Sequence, residues 1–132
     1  SFVERTIIGE GSEIYGKVCN SVIGCDVTIG EGSVVRDSII MNGTVIGHGC
    51  SLTKVISAEN VTIADNVTIG QGDDTPNNTR PDIYRDSLIC LGEDTVIPEK
   101  VTIGKNVMIS GYTAEQDYPD GYLPSGSTLV RD

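Results

Sequence analysis

The chain has no tryptophan, one phenylalanine (Phe2) and one histidine (His48) among its 132 residues. Aromatic residues make up 5% of it, too few to build a conventional globular core around large rings, so aliphatic side chains must do the filling. Basic residues are scarce too. Nine Lys and Arg stand against nineteen Asp and Glu, a formal net charge of −10. That balance excludes a nucleic-acid surface, which needs clustered cations to neutralise phosphates. The four cysteines, Cys19, Cys25, Cys50 and Cys90, form no C-x-x-C pair and have no histidine at metal-ligand spacing, so they are expected as reduced thiols in a cytoplasmic protein, with no metal site. No secretory leader and no apolar run of bilayer length is legible, so no membrane role is expected.

What the sequence does have is a six-residue aliphatic beat. It runs Ile23, Ile29, Val35, then Ile40, Ile46, Leu52, then Ile63 and Ile69, and resumes at Leu91, Ile97, Ile103 and Ile109. A unit this short is one strand and one turn, which cannot bury an apolar face alone and must stack on its neighbours. Val18, Val35 and Leu52 are spaced 17 apart, as are Ile29, Ile46 and Ile63. Two six-residue sides and one five-residue side therefore close a triangular coil, and the fold class is all-β: a single-stranded parallel β-helix of about five to six coils. A second set of small or β-branched residues, Ser12, Val27, Ser33, Thr44, Cys50, Val61, Val67, Thr95, Val101 and Val107, follows four residues behind many of the aliphatics and is predicted to point inward at the corners.

Gly9, Gly24, Gly30, Gly47, Gly70, Gly92 and Gly104 each follow an inward aliphatic, and are expected to supply the left-handed backbone of tight corners. Four stretches read Gly-x-Gly, but none lies between a strand and an amphipathic helix, the context a phosphate-cradling loop requires.

Two interruptions break the beat, and interruptions are where repeat proteins place function. From Ile14 to Ile23 the chain is four residues longer than from Val35 to Ile40, which predicts an outward excursion carrying Tyr15 and Lys17. The second is a polar stretch with two prolines, Pro76 and Pro81, and must be a loop. The domain reading is one β-helix over 1–132, with coils at about 6–72 and 87–111, a loop at 73–86 and an irregular tail at 112–132 that is either packed or a partner surface. Entry into the repeat almost at once, with no capping helix at either end, suggests a C-terminal piece of a longer chain.

The run Ile14-x-Gly16-x-Val18-x-x-Ser21-Val22-Ile23, followed by Val27-x-Ile29-Gly30, Val35-x-Asp37-Ser38-Ile39-Ile40-Met41 and Val45-Ile46-Gly47, closely resembles the C-terminal domain of bacterial glucose-1-phosphate adenylyltransferases. The loop ending in Ile83-Tyr84-Arg85 is similar to that family's long loop. The resemblance covers about Phe2 to Ile97 and implies a left-handed helix, whereas the general rule for parallel crossovers favours the right hand. It also implies an N-terminal nucleotidyltransferase domain that uses Mg²⁺, a homo- or heterotetramer assembled through the β-helix, and an allosteric site for a phosphorylated metabolite. The family's glycine-rich nucleotide loop and its metal- and sugar-phosphate-binding residues are absent here, so no residue carries a catalytic role and the chain alone is expected to be inactive.

Two residues match effector-binding positions of the family: Arg85, at the end of the long loop, and Lys54, in Leu52-Thr53-Lys54-Val55. Either cation suits a phosphate-bearing ligand through charge-assisted hydrogen bonds. The structural alternatives are an ion pair from Arg85 to Asp82 or Asp86, and a solvated edge charge at Lys54. Two other functions remain open. A stand-alone hexapeptide acyltransferase would use His48 as general base, but His48 sits between two glycines in a slot that holds Glu10, Glu31 and Gln71 in sister repeats. A non-catalytic scaffold is the other. A β-helical carbonic anhydrase, which needs three zinc-binding histidines, is excluded.

Overall fold

In the computed structural model, which describes residues 2–131, the chain is a stack of parallel strands on three faces. Face A carries β1 (Phe2–Glu4), β4 (Lys17–Cys19), β7 (Val34–Arg36), β10 (Ser51–Thr53), β13 (Thr68–Ile69), β16 (Thr102–Ile103) and β18 (Tyr122–Leu123). Face B carries β2 (Ile7–Ile8), β5 (Val22–Ile23), β8 (Ile39–Ile40), β11 (Val55–Ser57), β14 (Ile89–Leu91), β17 (Val107–Ser110) and β19 (Thr128–Val130). Face C carries β3 (Glu13–Ile14), β6 (Thr28–Ile29), β9 (Val45–Ile46), β12 (Thr62–Ile63) and β15 (Val96–Ile97). This is a β-solenoid of hexapeptide repeats, as expected, and among the described residues no helix is long and apolar enough to cross a membrane.

Register makes the beat into ladders. Val18 pairs with Val35, Val35 with Leu52 and Leu52 with Ile69, all fully buried. Ile29, Ile46 and Ile63 do the same on face C. Each buried aliphatic contributes roughly 1.5–3 kcal/mol relative to leaving it exposed, and stacking like on like lets every rung fit the next without voids. Face B has one polar rung, Ser57, between Ile40 and Leu91, and its hydroxyl is satisfied by the Ala58 carbonyl at 3.1 Å. Nine of the ten predicted corner residues are buried, and Ser12 is half-buried.

The glycines work differently from the expectation. Among those that follow an inward aliphatic, only Gly70 has positive φ (100°). Gly30 is required for space, because a Cβ there would lie 2.5 Å from the Gly47 carbonyl oxygen of the next coil. The left-handed turn falls two residues later, at Gly32 (φ 79°), and elsewhere at Asn, Asp and Lys: Asn20, Asp37 and Lys54 stack at the corner between faces A and B with φ of 51°, 51° and 57°.

Two further expectations are corrected. The stretch from Ile14 to Ile23 is no excursion, because Val18 lies inward on β4, fully buried; this coil runs short, pairing Ile14 with Ile29 only 15 residues on. Tyr15 and Lys17 are exposed, as predicted. The tail is regular enough to extend the stack beyond five or six coils: β18 pairs with β16 and β19 with β17. Tyr118, buried, ties it down through a 2.8 Å hydrogen bond with Thr113, and Arg131 grips Asp117 with two bonds to Oδ1, at 2.8 and 2.6 Å. That contact and the Ala114 amide hold the Asp117 carboxyl below the usual aspartate range.

Candidate functional site: the loop at the A/B corner

The long loop leaves β13 on face A and returns to β14 on face B. Across it the register jumps, pairing Ser57 with Leu91, 34 residues on, where Ile40 and Ser57 are 17 apart. A polar segment of this length needs partners for its backbone, and two asparagines supply them. The buried Asn77 side chain donates to the carbonyls of Asn106 (3.0 Å) and Ser127 (3.2 Å) and accepts from the amides of Thr79 and Arg80, both at 2.9 Å. Asn106 donates to the Thr75 carbonyl at 3.2 Å and accepts from the Ser87 amide at 2.9 Å.

This pinning delivers Arg85 to the A/B corner. The Leu88 amide donates to the Arg85 carbonyl at 3.1 Å, and the next residue, Ile89, donates to the carbonyl of Lys54 at 3.0 Å. The two effector candidates, distant in sequence, therefore sit at one corner on adjacent coils. Lys54 is exposed and has no ion-pair partner among the described residues. Its left-handed backbone is a place filled by Asn20 and Asp37 in the preceding coils, residues better suited to it.

Arg85 is 68% exposed at its side chain, and its Nε stands 3.7 Å from Asp86. A contact that long and exposed is a weak competitor for the guanidinium. The neighbouring Arg80 holds Asp82 in a two-bond fork at 3.2 and 3.1 Å, so Asp82 is engaged elsewhere than on Arg85. A cavity of about 580 Å³ opens between Tyr84, Arg85, Ser87 and Asn106, with Asp74 and Asp86 also on its wall. Asp74 accepts from the Ser87 hydroxyl at 3.1 Å and lies 3.9 Å from Lys105. One guanidinium against two carboxylates does not make a complete phosphate site; an anion held here needs cations from beyond the cavity, such as Lys54 or a second surface.

Sequence reasoning missed Asn77, Asn106 and Lys105. Asn77 was legible in part, since Asn-Asn-Thr in a proline-bearing loop is an Asx-turn signal. Asn106 carried none beyond its place one residue before an inward Val. His48 lies on an exposed corner where Asp65 accepts from its backbone amide at 2.8 Å rather than from its ring, so among the described residues no carboxylate orients the imidazole as a general base would need. The cysteines are free; burial pushes the Cys50 and Cys90 thiols up, which makes them less reactive.

Fold and repeat place the protein among hexapeptide-repeat β-solenoids. A family model for GlmU-like, C-terminal hexapeptide domains matches residues 1–88, and the chain belongs to that family. It is 57% identical over 131 residues to a glucose-1-phosphate adenylyltransferase of Lachnospira eligens, covering 99% of this chain and 31% of that protein. It is 49% identical over 130 residues to the protein of that name from Thermotoga maritima, and 36% identical over 129 residues to that of Acetivibrio thermocellus, covering 98% of this chain and 31% and 30% of theirs. The chain thus spans about a third of the curated relatives it matches.

Proposed function

We propose that this chain is the C-terminal assembly and allosteric domain of a glucose-1-phosphate adenylyltransferase. The parent would make ADP-glucose and pyrophosphate from ATP and glucose 1-phosphate, in cytoplasmic glycogen synthesis, on an N-terminal nucleotidyltransferase domain outside this chain. The observation that carries the reading is 57% identity over 131 residues, a span that takes in the long loop and the tail as well as the generic repeat. Among the described residues no three His, Cys, Asp or Glu side chains converge, and the Mg²⁺ of the parent reaction is placed in this reading with the N-terminal domain.

In this reading Arg85 and Lys54 supply part of the charge that holds a phosphorylated effector, and the parent domain supplies the rest. Face B supports the assembly role. Its outward residues, Ile7, Val22, Ile39, Ile56, Cys90 and Met108, stack in register and carry no charge, on a chain whose net charge of −10 opposes self-association elsewhere. Assay of ADP-glucose pyrophosphorolysis by the parent polypeptide and by residues 1–132 tests the reading. Activity in the first and none in the second is expected; turnover by 1–132 alone, or a parent that acts on no sugar nucleotide, overturns it.

A further inference from the structure

Of the nine basic residues, Arg5, Arg80, Arg85, Lys105 and Arg131 each stand 3.9 Å or less from a carboxylate. Among the described residues the other four, Lys17, Arg36, Lys54 and Lys100, have no ion-pair partner. Two of them stand side by side. Lys17 opens β4 and Arg36 closes β7, neighbouring strands of face A, with Lys17 opposite Val34 and Arg36 opposite Cys19. The cations are therefore diagonal neighbours, about 7–8 Å apart at the backbone, where like charges repel.

Both adjoining carboxylates are turned to other partners. Glu4, opposite Cys19 on β1, pairs with Arg5 at 3.1 Å, and Asp37, beside Arg36, accepts from the Asn20 side-chain amide at 2.7 Å. β4 and β7 lie between β1 and β10, so the exposure of Lys17 and Arg36 is that of a sheet face and not of an end of the stack. The surface between them is concave. A cavity of about 290 Å³ is lined by Phe2, Lys17, Cys19, Val34 and Arg36, and a second of about 350 Å³ shares Phe2, Lys17 and Val34 with it and reaches Tyr15. No carboxylate lines either one. The floor of the second is low because Gly16 has room for no side chain: a Cβ there would strike the Ser33 carbonyl oxygen of the next coil.

We propose that this part of face A binds a small phosphate monoester carried on a planar ring. Two uncommitted cations match the charge of a phosphate monoester, about −1.5 to −2 at neutral pH, better than the single charge of a carboxylate. The Arg36 guanidinium offers a fork of donors and the Lys17 ammonium a point charge. The ring lies over Val34, with the aromatic side chains of Phe2 and Tyr15 beside it. Together the two cavities have the size of a small-molecule site, whereas a polypeptide partner needs a far larger area. No residue of the long loop lines either cavity, so the site is separate from the corner of Arg85 and stands whether or not the parent makes a sugar nucleotide.

Titration of the chain with phenyl phosphate, followed by amide NMR shifts, tests it. Saturable shifts are expected at Lys17, Cys19, Val34 and Arg36. Lys17→Ala and Arg36→Ala should each weaken binding about tenfold, the loss of one charge-assisted contact. Both side chains are exposed, so the variants stay folded, which the same spectra show. Lys100→Ala, which removes an unpaired cation elsewhere, and Arg85→Ala should each change binding by less than about twofold. Inorganic phosphate, which lacks the ring, and benzoate, which carries one charge, should each bind at least about fivefold more weakly. Absence of saturable shifts on this face overturns the proposal, as does inorganic phosphate or benzoate binding as tightly as phenyl phosphate. An equal loss from Lys100→Ala overturns it in favour of diffuse surface charge, and an equal loss from Arg85→Ala in favour of the loop corner.

Discussion

The side-chain amide of Asn77 donates to the backbone carbonyl of Asn106 at 3.0 Å, and the Asn106 side chain in turn bonds the carbonyl of Thr75 at 3.2 Å. This reciprocal clasp folds a polar loop back onto the coil that follows it, and the position of Arg85 depends on it.

Asn77→Ala leaves several buried backbone groups without partners, each worth about 1–3 kcal/mol when unsatisfied, and a net loss of about 2 kcal/mol in denaturant unfolding is expected. Trypsin should then cleave after Arg85 faster than in the unaltered chain. Asn78→Ala, on an exposed side chain, is the control and should change stability by less than about 0.5 kcal/mol.

The ladders make a second expectation. Ile46, 1% exposed between Ile29 and Ile63, should cost about 3–4 kcal/mol when changed to Ala, because flanking rungs cannot close the gap. Its outward neighbour Val45, 43% exposed, should cost under about 0.5 kcal/mol. Urea unfolding of the two variants compares them, and similar losses would contradict the inward assignment.

Tyr118 gives a pH dependence. Burial foremost, with the Asp117 charge adding to it and the Thr113 hydrogen bond opposing it, raises its phenol from 10.0 to about 12. The unfolded chain therefore ionises first, so the stability Tyr118 contributes is full below about pH 10 and is lost as pH rises toward 12. Difference ultraviolet titration of the unaltered chain against Tyr118→Phe should isolate one phenol ionising near pH 12, and the variant's stability should fall less steeply over that window.

Face B carries the assembly expectation. Ile39→Asp places a charge in the middle of the uncharged column, and sedimentation velocity of the parent should show smaller assemblies with the chain still folded. An unchanged mass would remove face B from the subunit contacts.

How much of this was legible in the sequence follows from the physics of each part. The beat sets inward and outward positions, so the residues from Val18 through Ile109 reveal core and fold class together. Val18 itself exposes a limit: a side of four residues from Ile14 reads as an insertion when five or six is the rule, although the strand still forms. The glycines were identified as corner residues for the wrong reason, because the clash of Gly30 with the next coil is an inter-coil property that no local pattern carries. The tail was illegible because the chain from Ile109 to Leu123 breaks the beat, leaving the six-residue step from Leu123 to Leu129 isolated, and Tyr118 caps through contacts that only folding creates. Arg85 and Lys54 were found by resemblance. The bond from the Ile89 amide to the Lys54 carbonyl that brings their segments to adjacent coils depends on the register jump across the loop, and the clasp between Asn77 and Asn106 is invisible at 29 residues' separation.

The measurement that bears most directly on the account is the effector response of the parent enzyme carrying Arg85→Ala, taken with and without saturating phosphorylated metabolite. Loss of one charge-assisted contact should raise the half-maximal effector concentration about tenfold or more, while turnover without effector stays within about twofold. Lys54→Ala should act in the same direction. Equal loss with and without effector would instead make Arg85 a packing residue of the loop, and the regulatory role assigned to this corner would be contradicted.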